Sequence, residues 1–187
     1  MADEIIDIFN EHNIPANQRV LKSRAHTLGL WHRTAHVWLY RPNGQVLLQL
    51  RSPGKDLYPR MWDISAAGHV GAGETPEHAA VRELHEELGI RATNQELVFW
   101  GVKTLKTTYK EFINNEHSYV YGYRFTESLD TLNLQTVEVQ EVRFFTPTEM
   151  RQSLYESSVG ATLDVKLVPH GEYWEWILQK ISSCCLS

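Results

Sequence analysis

Three glutamates, Glu83, Glu86 and Glu87, fall close together in a segment that reads GHVGAGETPEHAAVRELHEELGI over 68–90. On a helix over 76–88 their i,i+3 and i,i+4 spacings gather them into one patch. Like charges so spaced repel by a few tenths of a kcal/mol per pair. The patch is therefore either a solvated acidic face or a seat for a positive charge. Several carboxylate oxygens on a rigid element suit a hard divalent cation, with positions left for phosphate oxygens and water. Gly68, Gly71 and Gly73 let the preceding loop wrap against the helix start, as phosphate-associated loops require. Val81, Leu84 and Leu88 place the apolar face of the helix nearly opposite the glutamates, and His85 turns away to the surface.

The elements that must position this segment are legible from pattern. Thr75 is the N-cap of the acidic helix, Pro76 takes its first position and Gly89 closes it, with Glu74 and Glu77 at its positive end. Strands are read at 4–9, 33–40 and 45–51, the last two joined by a Pro-Asn-Gly turn at 42–44. MWDISAAGHV is apolar and strand-like. Further strands are read at 96–105, 117–125 and 137–145. Pro147 opens a short helix through MRQSLYE, and a last helix runs over 172–181. Antiparallel strands interrupted by one central helix, with helices after them, predict the α+β class: a mixed β-sheet between helical layers. Loops at 52–61, 106–117 and 160–172 are left to select the substrate.

The chain has 187 residues, 42% hydrophobic and 22% charged, which is globular composition at a one-domain length. Its formal charge of −5 excludes a sequence-independent nucleic-acid binder. No run of apolar residues is long enough for an integral membrane span, and the acidic start lacks the basic region of a secretory signal. A cytoplasmic location is expected. Both cysteines, Cys184 and Cys185, are adjacent near the end, which leaves no disulfide framework or zinc knuckle. CCLS also fits a C-terminal prenylation pattern at Cys184, against the plainer reading of a short tail over 182–187.

Gly68, Glu74, Arg82, Glu83, Leu84, Glu86, Glu87, Gly89 and Ile90 fit G-x5-E-x7-R-E-U-x-E-E-x-G-U, where U is aliphatic: the Nudix box, matched at every defined position. The chain resembles the Nudix hydrolases, which cleave diphosphate linkages with Mg²⁺ or Mn²⁺. The resemblance implies a single domain over 1–187, an α/β/α sandwich and a small-molecule diphosphate substrate. Glu83, Glu86 and Glu87, with the carbonyl of Ala67, match the family's metal ligands. Arg82 and Glu74 match the pair that orients the first of them. The general base of the family is a box glutamate or one from a later loop, for which Glu138 and Glu141 are the candidates. A non-catalytic nucleotide sensor is the competing use of the fold, and loss of box glutamates, its usual sign, is missing here. Monomer and homodimer stay open.

AHTLGLWHRTAHVWLY (25–40), VLLQLRSPGKD (46–56), P-x-x-W-D (59–63) and SAAGH (65–69) are similar to the Nudix branch that includes type 1 isopentenyl-diphosphate isomerases. From that branch, Arg51 and Lys55 match the residues that hold the diphosphate. His26, His32 and His69, with Glu116, match a second, histidine-rich metal site, to which His36 could add by strand alternation. The alternative for this group is a hydrogen-bonded, metal-free cleft. The isomerase's catalytic cysteine is replaced by Ala67 and its protonating glutamate by Ser118, so the pair that moves protons across an allyl system is lost. Trp62, Trp174 and Trp176 are candidates for a stacking wall, with core packing the alternative for Trp62. The sequence therefore reads as an isomerase-like scaffold that hydrolyses a diphosphate linkage.

Overall fold

The structure, a computed structural model, describes residues 3–160 and 165–185. Its elements in chain order are β1 (Ile5–Phe9), β2 (Pro15–Leu21), α1 (Lys22–Leu28), β3 (Trp31–Tyr40), β4 (Val46–Arg51), β5 (Trp62–Asp63), β6 (Ala66–His69), α2 (Pro76–Leu88), β7 (Leu97–Tyr109), β8 (Phe112–Arg124), β9 (Val139–Phe145), α3 (Pro147–Ser158) and α4 (Tyr173–Cys185). The sheet is built around β3. That strand runs antiparallel to β1, β4 and β6 and parallel to β8 over ten residue pairs. β7 closes one side as the partner of β8, while β4 carries β5 and β9.

Strand alternation sends the side chains of β3 to opposite layers. Ala35, Val37 and Leu39 meet Ala79, Ala80, Leu84 and Leu88 of α2. Trp38 and Tyr40 meet Met150 of α3 and Trp174, Ile177, Leu178 and Ile181 of α4. The result is the expected mixed sheet between helices.

Helix α2 starts and stops where its caps dictate. The Thr75 hydroxyl accepts from His78 N at 3.3 Å, Pro76 sits in the first turn, and Gly89 ends the helix at φ 73°. Its faces differ from the expectation. Glu83 and Glu87 are buried beside Leu84 and Leu88, whereas Val81 is only half-buried. Ala80 and Leu84 form one i,i+4 row and Glu83 and Glu87 the row beside it. A helix seated on two alanines comes close enough to the sheet to bury both rows.

Other differences have equally local reasons. β2 and α1 fill a stretch for which no element was expected, because PANQRVL pairs with β1 through main-chain bonds and leaves only one of its seven residues buried. MWDISAAGHV breaks into β5 and β6 around Ser65. The buried Ser65 hydroxyl accepts from Leu39 N at 2.8 Å and donates to Leu47 O at 2.5 Å, bridging β3 and β4. Most of the 106–117 loop is the far end of a long β7–β8 hairpin turning at Lys110. α4 continues through the expected tail to Cys185. Both cysteines pack against the core, and Cys185 Sγ donates to Arg41 O at 3.4 Å. Of the CCLS pattern, Leu186 and Ser187 lie outside the described residues, as do 161–164 of the third selecting loop. No helix among the described residues is long and apolar enough to cross a membrane.

Ser65→Ala strands the Leu39 N–H inside the sheet, an unmet buried donor worth about 2 kcal/mol. Urea unfolding is expected to show that loss with an unchanged denaturant slope.

Candidate active site

Strand β6, the glycine loop and α2 form one unit. Glu83 lies directly on Gly68, where a Cβ would overlap its carboxylate, so any other residue there would push Glu83 out of place. Arg82 is the hub of the unit. Its Nε and Nη2 donate to the two oxygens of Glu74 at 3.0 Å each, and Nη2 also donates to His69 O at 2.9 Å. Its Nη1 donates to Glu83 at 2.6 Å and to Glu86 at 3.1 Å. Glu74 also accepts from Gly71 N at 2.9 Å, pinning the loop to the helix. Burial works against ionisation of Glu74, but the bonds from Arg82 and Gly71 prevail and hold its carboxyl below the usual range.

The carboxylates Arg82 serves less completely behave differently. Burial pushes Glu83 up to about 7, with Arg82 opposing and Glu86 and Glu4 adding to the rise. Glu87 is pushed up to about 8, again chiefly by burial and then by Glu83, against the pull of Lys55 and the Ala67 N–H. Glu87 accepts from Gln49 Nε2 and from Ala67 N, both at 3.1 Å. Two acids buried side by side, with Arg82 bonded to Glu83 while the bonds to Glu87 come from Gln49 and the Ala67 N–H, lack positive charge. A divalent cation fits that deficit and the oxygen-only donor set.

Two residues at this site carry no motif signal. Gln49 is reached only through the fold, since β4 must first lie beside β6 and α2. Glu4 arrives because β1 docks on the loop: Ala72 N donates to Ile5 O at 2.9 Å and Gly73 N to Asp7 Oδ2 at 2.7 Å. Burial raises Glu4, with Arg82 opposing.

At the mouth, Lys55 is ion-paired with Glu138. Ser52 ties the loop of the first to the segment of the second, donating from N to Glu138 O at 2.9 Å and from Oγ to Val137 O at 2.6 Å. Arg51 does not offer the free fork expected of it. Its Nε donates to Leu57 O at 2.8 Å and its Nη1 to Asp63 Oδ2 at 2.9 Å, so it holds the 52–61 loop. Glu141 lies exposed on β9. Trp62 is no stacking wall: it is buried edge-on against Phe145, because β5 turns it into the core. Trp174 is core too, donating to Val168 O at 2.8 Å. Trp176 stays half-buried under the Lys103 ammonium, 4.4 Å from the ring centre.

The histidines separate into two groups. His26, His32 and His69 offer ligand atoms that all lie within 4.8 Å of one another. His32 Nδ1 faces Leu30 O at 2.9 Å, which makes Nδ1 the protonated nitrogen and leaves a buried, unpartnered lone pair on Nε2. Glu116 approaches that nitrogen at 3.9 Å. Burial takes His26 down to about 4 and His69 well below its ordinary value, so both are neutral near pH 7, the form that binds metal. A borderline cation fits this set. His36 lies apart, its Nδ1 3.0 Å from the Tyr173 hydroxyl in the layer under α4. Ser118 is enclosed, accepting from Thr34 at 3.0 Å. His85 is exposed, as expected.

Known proteins resemble this chain in sequence and in fold. The NUDIX domain family matches residues 30–163. Nudix hydrolase 3 of Arabidopsis thaliana is 35% identical over 181 residues, 92% of this chain, although the chain spans only 23% of that protein's length. The isopentenyl-diphosphate Delta-isomerase of Salmonella heidelberg is 30% identical over 145 residues, covering 77% of this chain and 80% of the isomerase. In fold, the crystal structure of DR0079 from Deinococcus radiodurans superposes with a TM-score of 0.68 at 23% identity, over 95% of this chain and 99% of that one. The chain belongs to the Nudix family. Several of the matched relatives are named Nudix hydrolases.

Asp63, like Glu74, is a carboxylate whose partners outweigh its burial. Burial would raise it, but His170 at 2.7 Å, Arg51 and the Ile64 N–H outweigh that and hold it far below the usual range. A depressed carboxyl stabilises the fold in full at neutral pH, and the gain fades as pH falls from about 4 toward the folded value. Asp63→Asn is expected to cost about 3 kcal/mol at pH 7. Denaturant titrations across pH should show the gap from wild type narrowing in acid.

Proposed function

We propose that the protein hydrolyses the phosphoanhydride bond of a nucleoside diphosphate or triphosphate, or of a related X-diphosphate, with Mg²⁺ or Mn²⁺. The observation that carries this reading is the pair of buried, under-compensated carboxylates, Glu83 laid against Gly68 and Glu87 held by Gln49 and the Ala67 N–H. Glu83, Glu86 and Glu87, with the Ala67 carbonyl, hold the cation. When bound, it neutralises the diphosphate, polarises phosphorus and makes water acidic enough to attack. Arg82 and Glu74 keep Glu83 and Glu86 aimed. Lys55 meets the outer phosphate oxygens, and Arg51 holds the loop that carries it. Glu138 takes the proton of the attacking water. The water oxygen bonds to phosphorus, and the bridging oxygen departs with the electron pair of the broken bond.

His26, His32 and His69, with Glu116, hold a second ion on this reading, supported by the orphaned Nε2 of His32. Isomerisation is disfavoured, because allylic proton transfer needs an acid and a base and Ala67 and Ser118 provide neither. The reading takes the chain as one cytoplasmic Nudix domain.

The test is a library of nucleoside, nucleotide-sugar and isoprenoid diphosphates, followed for phosphate release with Mg²⁺ or Mn²⁺. Glu83→Gln and Glu87→Gln are each expected to lower turnover at least about 100-fold on the best substrate while the fold persists. Undiminished turnover in both variants overturns the assignment. Binding without turnover in the wild type points to a sensor, and double-bond migration in isopentenyl diphosphate to an isomerase.

A further inference from the structure

The cation expected to meet the substrate and the carboxylate expected to take the proton are, in this structure, bound to each other. Lys55 Nζ is paired with Glu138 Oε2. The pair is set by backbone. Glu138 O accepts from Ser52 N, Glu138 N donates to Gln135 O at 2.8 Å, and Gln135 N donates to Glu87 O at 3.0 Å. The loop of Lys55, the segment of Glu138 and the C-terminal turn of α2 thus share one junction. The bond from Gln135 N to the Glu87 carbonyl places the pair at the edge of the box. The Glu138 side chain is 11% exposed, so its carboxylate has little water to fall back on.

We propose that Lys55 is a positioning residue that latches Glu138 and is drawn off it by the substrate diphosphate, which arms the base only when substrate is present. The inference rests on the reading of Glu138 as the base. The ammonium on Oε2 competes with water for the Glu138 carboxylate, so its release frees that oxygen to accept a proton. A diphosphate brings more negative charge than one carboxylate, and the flexible stem of lysine lets its ammonium change partner. Once Lys55 moves to a phosphate oxygen, Glu138 is left beside the attacking water. One proton passes from that water to Glu138, the water oxygen bonds to phosphorus, and the bridging oxygen leaves with its electron pair.

Calorimetry with methylenediphosphonate and Mg²⁺, which cannot be hydrolysed, separates a latch from simple charge repulsion. Four proteins are compared: wild type, Glu138→Gln, Lys55→Gln and the double variant. A latch makes substrate break the ion pair, so Glu138→Gln is expected to tighten binding about fivefold when Lys55 is present and not when it is replaced. Equal tightening in both backgrounds is plain repulsion and overturns the proposal, as does no tightening in either. Kinetics add a second readout: Lys55→Gln is expected to raise KM about tenfold, because it removes the contact the diphosphate gains. A fall in kcat at unchanged KM also overturns the latch. Failure of the underlying reading looks different, since Glu138→Gln then keeps full turnover whatever the binding cycle shows.

Discussion

The structure depends on burying two carboxylates, Glu83 laid against Gly68 and Glu87 held by Gln49 and the Ala67 N–H. Ala79 and Ala80 bring α2 close to the sheet, and that closeness carries Glu83 and Glu87 under cover with Leu84 and Leu88. Burial alone would drive both acids to their neutral forms. Arg82 reaches Glu74, Glu83 and Glu86 at once and offsets only part of that cost. The rest of the deficit is one that a divalent cation would fill, as the proposed function requires. Glu74 then serves as the fixed end of the arrangement, paired on both oxygens, while Glu83 and Glu87 keep capacity for another partner.

The remaining elements can be understood as supports for that unit. β1 docks on the glycine loop and brings Glu4 to its edge. β4 brings Gln49 to Glu87 and ends in Arg51, whose bonds to Asp63 and Leu57 hold the loop that carries Lys55. Gln135 caps a carbonyl of the last turn of α2 and so fixes where Glu138 stands. On the opposite face of β3, His32 points into a trio of imidazoles while His36 is absorbed into the packing under α4. One strand thus supplies a metal-competent group and a structural one four residues apart. Alternation gives them the same face, but the neighbouring elements give them different surroundings.

Much of this was legible in the sequence where the signal is local. The caps Thr75, Pro76 and Gly89 delimit α2 at both ends, and the box spacing names the carboxylates. Arg82 and Glu74 meet as their pattern implies. What was not legible depends on tertiary contact. The burial of Glu83 and Glu87 follows from two alanines seating the helix, which a simple division into apolar and polar faces misses. Glu4 and Gln49 reach the site only after β1 and β4 have paired. Trp62 and Arg51 look like binding residues by type, yet the core beside Phe145 and the carboxylate of Asp63 claim them. β2 is polar and almost fully exposed, so no hydrophobic periodicity announces it.

The central claim, that the α2 carboxylates are completed by a divalent cation, is tested most directly by calorimetric titration with Mn²⁺ in a His26→Ala/His69→Ala background, which removes the imidazole site. That protein is expected to bind Mn²⁺, and the further change Glu87→Gln to weaken binding at least about tenfold. Equal Mn²⁺ affinity with and without Glu87 would contradict it.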